Sequence, residues 1–203
     1  MELNELKEIW KNEQKEIFAR VEINERRISE ITISNSKNKL EKYISIAIIG
    51  RNLALLYFII SIWFASKLLN ELEYSLPAIM GGFAMLFSFF QHISLKKVNY
   101  NSMNIIELQK IIHKFRIHTL KYSKFDKAIV ALWFLTLSPI YLKLFFKVSV
   151  FSNQNHFIIF ILVIVGIVIL IKSNLFGDIY KKWDLELKEA EIKLNEIKEF
   201  ELE

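Results

Sequence analysis

Residues 157–171 read FIIFILVIVGIVILI, and none of these fifteen side chains is polar. A helix of this composition has no face to turn toward water, so its surroundings must be apolar on every side. A hydrocarbon core of about 30 Å needs ~20 mostly apolar helical residues. Extended from Phe157 to about Phe176, the run is long enough to cross. Three other stretches have the same character. They are Leu53–Leu69 (LALLYFIISIWFASKLL), Ser75–Leu95 (SLPAIMGGFAMLFSFFQHISL) and Ala128–Val148 (AIVALWFLTLSPIYLKLFFKV). Lys143 and Lys147 fall inside the third, close enough to its end for their ammonium groups to snorkel to the interface. The competing reading, a soluble protein with buried core helices, would have to hide four such runs in a chain of 203 residues.

Charge supports lipid. The chain is 53% hydrophobic, against roughly 45–50% in soluble proteins, yet 24% of it is charged. Its mean hydropathy is +0.27. The apolar and charged residues are segregated into blocks. Of 27 Lys and Arg, ten precede residue 53, eight lie between residues 96 and 127, and six follow from Lys172 onward. The links Asn70–Tyr74 and Ser149–His156 carry none. This is the positive-inside pattern, and it predicts cytoplasmic N-terminus, middle loop and C-terminus. The expected architecture is all-α: a four-helix transmembrane bundle with cytoplasmic helical extensions at both ends and in the middle loop. Its parts are an arm over 1–52, a hairpin over 53–95, a helical loop over 96–127, a second hairpin over 128–176 and a helix over 177–203. The short uncharged links make each hairpin antiparallel. The first 40 residues lack the apolar core of a cleavable signal peptide, so a span is expected to act as the insertion signal.

The net charge of +5 does not call for nucleic acid, because the cations flank apolar runs where topology and anionic lipid explain them. There is no cysteine, which excludes disulfides and thiolate metal sites. The four histidines include His113 and His118, five apart and therefore not on one helical face. No HExxH, EF-hand loop, glycine-rich phosphate cradle or GxSxG elbow occurs. No enzyme activity, catalytic residue, metal or cofactor is expected. Inside the spans, the residues that draw attention are Gln91 and His92 in the second and Thr136, Ser138, Pro139 and Lys143 in the third. Pro139 is expected to kink its span, and Gly81-Gly82 to allow close helix approach.

The charged segments are amphipathic. In the arm, Leu3, Leu6, Trp10, Ile17 and Val21 share a helical face, interrupted at Glu13 and resumed by Ile28 and Ile31. Glu16 with Arg20 and Glu22 with Arg26 have i,i+4 spacing. Ser34-Asn35-Ser36 is expected to break the arm into two helices. In the middle loop, Asn101 or Ser102 is the expected N-cap of a helix carrying Ile105, Leu108, Ile112 and Phe115. In the tail, Tyr180, Trp183, Leu187, Ala190, Leu194 and Ile197 alternate steps of three and four, a heptad seam of two and a half repeats. Such a seam needs a partner surface, either within the chain, on a second copy or on another protein.

The opening ELNELKEIWKN, the charged helix through VEINERRISEI and the switch into four spans resemble a group of small bacterial inner-membrane proteins encoded beside extracytoplasmic-function sigma factors. The matching apolar positions are Leu6, Ile9, Trp10 and Ile28. The resemblance implies an anti-sigma-like regulatory role in the bacterial cytoplasmic membrane. The expected function is thus a membrane-anchored regulator or scaffold. It would bind a cytoplasmic or membrane protein partner through Leu3, Leu6, Trp10, Ile17, Val21, Trp183, Leu187, Leu194 and Ile197. The alternative is an oligomeric pore or defence-type membrane effector built from several copies.

Overall fold

The computed structural model describes residues 3–172 and 179–200. Among the described residues the chain is all helical, with no strand. Its elements are α1 (Leu3–Lys67), α2 (Leu72–Gln91), a 3-10 turn (Tyr100–Ser102), α3 (Ile105–Phe146), α4 (Gln154–Lys172) and α5 (Ile179–Phe200). Three of them, α1, α2 and α3, are long and apolar enough to cross a membrane. The end of the fourth expected span and the start of the expected C-terminal segment fall on residues 173–178, outside the described residues.

The expected break within the arm does not exist. α1 is one helix of 65 residues, about 100 Å at 1.5 Å per residue. It passes through Ser34-Asn35-Ser36 without a break. The Ser36 hydroxyl donates to the Thr32 carbonyl at 2.9 Å, so its competition for backbone groups is met inside the helix. Leu40, Tyr43 and Ile44, just beyond, are buried and hold the segment in place. α3 likewise carries the middle-loop helix and the third span as one rod of 42 residues. Its N-cap is Asn104, not Asn101 or Ser102. The Asn104 side chain accepts from the Glu107 amide at 2.8 Å, and the Glu107 carboxylate accepts from the Asn104 amide at 3.3 Å. This reciprocal capping box satisfies two donors that would otherwise be orphaned.

α3 also runs on through Pro139. A proline leaves the carbonyl four residues back without its amide donor, here that of Leu135. The Ser138 hydroxyl donates to that carbonyl at 3.3 Å.

Two hydrophobic cores stack along the long axis. The first joins Leu40, Tyr43 and Ile44 of α1, Leu108, Ile112 and Phe115 of α3, and Leu187, Ala190 and Leu194 of α5, with Leu95 and Tyr100 between. The second joins Ala54, Phe64 and Ala65 of α1, Tyr74, Ala78 and Met85 of α2, and Trp133, Leu137 and Ile140 of α3. We call the level where these cores meet, around Arg51, His92 and Asp126, the near end of the apolar region. Lys67, Leu72 and Phe146 mark its far end.

Among the described residues, three helices of the expected four-helix bundle, α1, α2 and α3, pack in the apolar core. α4 contributes no described residue to either core. Apolar side chains give helices no reason to leave lipid for one another, so association there depends on small residues and interhelical polar contacts. α1–α3 possess these. A Cβ on Gly81 would collide with Thr136 of α3, and one on Gly82 would lie 2.9 Å from Ser61 Cβ of α1. The Trp133 indole donates to the buried Ser61 hydroxyl at 2.6 Å and stacks on Tyr57. Gly166 of α4 has nothing within 4 Å of where a Cβ would sit. Phe157, Ile159, Leu162 and Ile169 are exposed.

Candidate functional site

The near end holds a polar network drawn from three helices. α2 stops at Gln91, and His92 caps it, its amide facing the Ser88 and Phe89 carbonyls. The cap places the His92 ring beside α3. There His118, Tyr122 and Asp126 follow one another at four-residue spacing, which puts them along one face. His92 Nδ1 lies 2.9 Å from His118 Nε2, and His92 Nε2 lies 2.9 Å from Asp126 Oδ1. The Tyr122 ring packs edge-on to His92 and tilted against His118. From α5, the Tyr180 hydroxyl donates to Asp126 Oδ2 at 2.9 Å. The side chains of His92 and Asp126 are each only 12% exposed.

A carboxylate only accepts, so His92 Nε2 carries the hydrogen shared with Asp126. The remaining hydrogen lies between two imidazole nitrogens, either of which can hold it. Burial pushes the His118 ring below the ordinary imidazole value, and the nearby His92 and Lys121 push in the same direction while Asp126 opposes. Ring nitrogens and carboxylate face one another, not a common point. Among the described residues no group of three or more His, Asp or Glu is arranged to hold a metal. Next to the network, Gln91 Oε1 is buried without a hydrogen-bond partner.

Beyond this level α5 is clamped to α3 and α1. Arg116 Nε meets Asp184 at 2.7 Å, and its Nη1 pairs with Glu191. Gln109 bonds Asn195 at 2.6 Å. Tyr43 of α1 donates its hydroxyl to Glu186 and stacks on Trp183 at 5.1 Å. Burial and the Glu186 carboxylate push the Tyr43 phenol up to about 12.

The expected partner-binding residues separate into two groups. Leu187 and Leu194 are fully buried, and Trp183 packs against the same core; Ile197 is half-buried. The seam of α5 is thus covered by α1 and α3 and is not a free surface for a partner. In the arm, Trp10 (64%), Ile17 (60%) and Val21 (46%) are exposed, together with Phe18, Ile28 and Ile31. Leu3 and Leu6 lie in α1, with side chains outside the described residues. Arg20 pairs with Glu16 at 3.8 Å as expected, whereas Arg26 turns to Glu30 at 3.5 Å and not to Glu22.

The chain matches no known family model, no curated protein and no solved structure. Its function must be read from these surfaces. Asp126 was not singled out by sequence, His118 was read only as out of line with His113, and Tyr180 only as the start of the α5 seam. The i, i+4, i+8 spacing of His118, Tyr122 and Asp126 was the available signal, and it gains meaning only when α2 delivers His92 to it.

Proposed function

We propose that this chain is a membrane-anchored regulator or scaffold of the bacterial cytoplasmic membrane, holding a soluble cytoplasmic protein through the free part of α1. The near end is then cytoplasmic, α4 is a fourth span, and both termini lie inside. The observation that carries the reading is the contrast between two amphipathic helices. The α5 seam is occupied from within, while α1 extends its apolar residues from Trp10 to Ile31 away from any core. Isolated exposed apolar residues need no explanation, but a stripe at helical spacing does. The arm offers an apolar strip flanked by charge, suited to an amphipathic groove or helix on a partner. The resemblance of its opening residues to proteins encoded beside sigma factors supports a regulatory partner.

A photo-crosslinking residue placed at Trp10 or Ile17 of the full-length protein, in native membranes, tests this. A discrete adduct with a soluble protein is expected at both positions. It should be lost when Val21→Glu is added, and absent from a probe at Leu187. If the adducts contained only a second copy of the chain, or failed to form, the arm would not be a partner-binding element.

A further inference from the structure

We propose that His92, His118 and Asp126 form a binding site for protons that takes up one without rearrangement and opens when a second arrives, so that acid releases the near end of α2 from α3. The proposal stands whether or not the arm binds a partner.

Hydrogen bookkeeping carries it. With no added proton, His92 is neutral, donates Nε2–H to Asp126 Oδ1, and accepts at Nδ1 from His118 Nε2–H across 2.9 Å. Asp126 Oδ2 is occupied by the Tyr180 hydroxyl. The first added proton comes from water. It can enter at His118 Nδ1 while the Nε2 hydrogen crosses to His92 Nδ1. The products are a His92 imidazolium on the Asp126 carboxylate and a neutral His118 whose Nε2 now accepts. Every bond survives with its direction reversed at one link. The second proton finds no such place. Both rings would be imidazolium, and each nitrogen of the 2.9 Å contact would carry a hydrogen. That contact cannot persist, and one ring must turn away.

The surrounding charges set the order. On α3 the site faces Asp126, Lys121 and Tyr122; α5 brings Tyr180; α2 brings His92 itself. On α1, Arg51 is engaged with the Leu95 carbonyl at 2.8 Å. One carboxylate balances one imidazolium, and among the described residues a second imidazolium beside Lys121 has no counter-ion. Burial, His92 and Lys121 hold His118 below its ordinary value near 6.5. A ring released to water titrates at that ordinary value. The closed contact is therefore intact above about pH 6.5 and is lost as pH falls from there toward the lowered His118 value.

The native chain has no cysteine, so spin labels can be placed without background. One pair is Ile93→Cys with Lys124→Cys across the site. The control pair is Leu69→Cys with Phe146→Cys at the far end. All four positions are exposed. In full-length protein in lipid nanodiscs, the near-end pair should show one distance at about pH 7.5. A second population should grow by up to tenfold per unit of further acidification as a one-proton step. The far-end pair should not change. His118→Gln keeps a donor or acceptor toward His92 but cannot take the second proton, and should abolish the new population. If that variant loses the far-end distance, His92→Gln serves in its place, since it too leaves one titrating ring. No new population down to about pH 5, or the same one in the glutamine variant, would overturn the proposal.

Discussion

Gly81 and Gly82 are adjacent in sequence but serve different neighbours. One residue along a helix turns the side-chain direction by about 100°, so Gly81 faces α3 and Gly82 faces α1. A Cβ on Gly81 would overlap Thr136 Oγ1 and sit 3.0 Å from Thr136 Cβ. Rotating the threonine does not move its Cβ from 3.0 Å, and one of the two other rotamers puts a methyl where the hydroxyl was. The Thr136 hydroxyl is also engaged with the Leu132 and Trp133 carbonyls. Gly81→Ala should therefore cost about 1–3 kcal/mol through forced separation of α2 and α3. Gly50→Ala, where nothing lies within 4 Å, should be neutral or gain up to about 1 kcal/mol from helix propensity. Denaturant unfolding of both variants in the same detergent measures the difference, and equal effects would refute the packing argument. Close approach at Gly81-Gly82 was legible from the sequence alone. Which glycine meets which helix was not, because it depends on three axes being placed together. His92 was legible in the same partial way: a polar residue near a span end, with no sign that two residues of α3 two turns apart would bracket it.

For α5 and the first turns of α3, periodicity identified the buried face but not its partners, whereas the arm's stripe from Trp10 to Ile31 meets no core. The steps of three and four from Tyr180 to Ile197 marked the buried side of α5 correctly, and Leu187, Ala190 and Leu194 are its innermost residues. Nothing in those steps says that α1 and α3 supply the other half, since a second copy would require the same pattern. The expected break at Ser34-Asn35-Ser36 failed for a related reason. Local preference for a cap was outweighed by packing of the next two turns, through Leu40, Tyr43 and Ile44, against α3 and α5. Leu187→Ala and Leu194→Ala should each weaken α5 docking by about 2–5 kcal/mol. Hydrogen exchange read by mass spectrometry should then rise throughout α5 and the facing turns of α1, with α2 protected as before. If α2 lost protection equally, the two cores would be one cooperative unit. The stacking through two separate clusters would then have no energetic meaning.

The dimensions of the whole molecule bear on α4. Between near and far ends, α2 runs from His92 back to Tyr74 and α3 from Asp126 to Lys143, each about 26 Å at 1.5 Å per residue. That approaches the thickness of a hydrocarbon core of about 30 Å. Polar groups close both limits. At the far end Lys143 pairs with Glu71 and lies 4.3 Å from the Tyr74 ring centre. At the near end stand Arg51 and the histidine network. The chain leaves α3 at the far end, where the Phe151 amide donates to the Tyr74 hydroxyl at 3.3 Å. It is back at the near end by Tyr180, which touches Asp126. Only α4 and the residues following it connect the two levels. Nineteen helical residues reach about 28 Å, enough for the return. If α4 is the fourth span proposed above, its exposed apolar side chains make that journey through lipid. Single cysteines test it, again without background. Ser152→Cys and Asn70→Cys should react with a membrane-impermeant maleimide on intact cells, while Lys11→Cys and Glu199→Cys should react only after the membrane is opened. Ser152 and Glu199 bracket α4, so labelling of both from the same side would mean that α4 turns back without crossing. The three packed helices would then be the whole of the membrane domain.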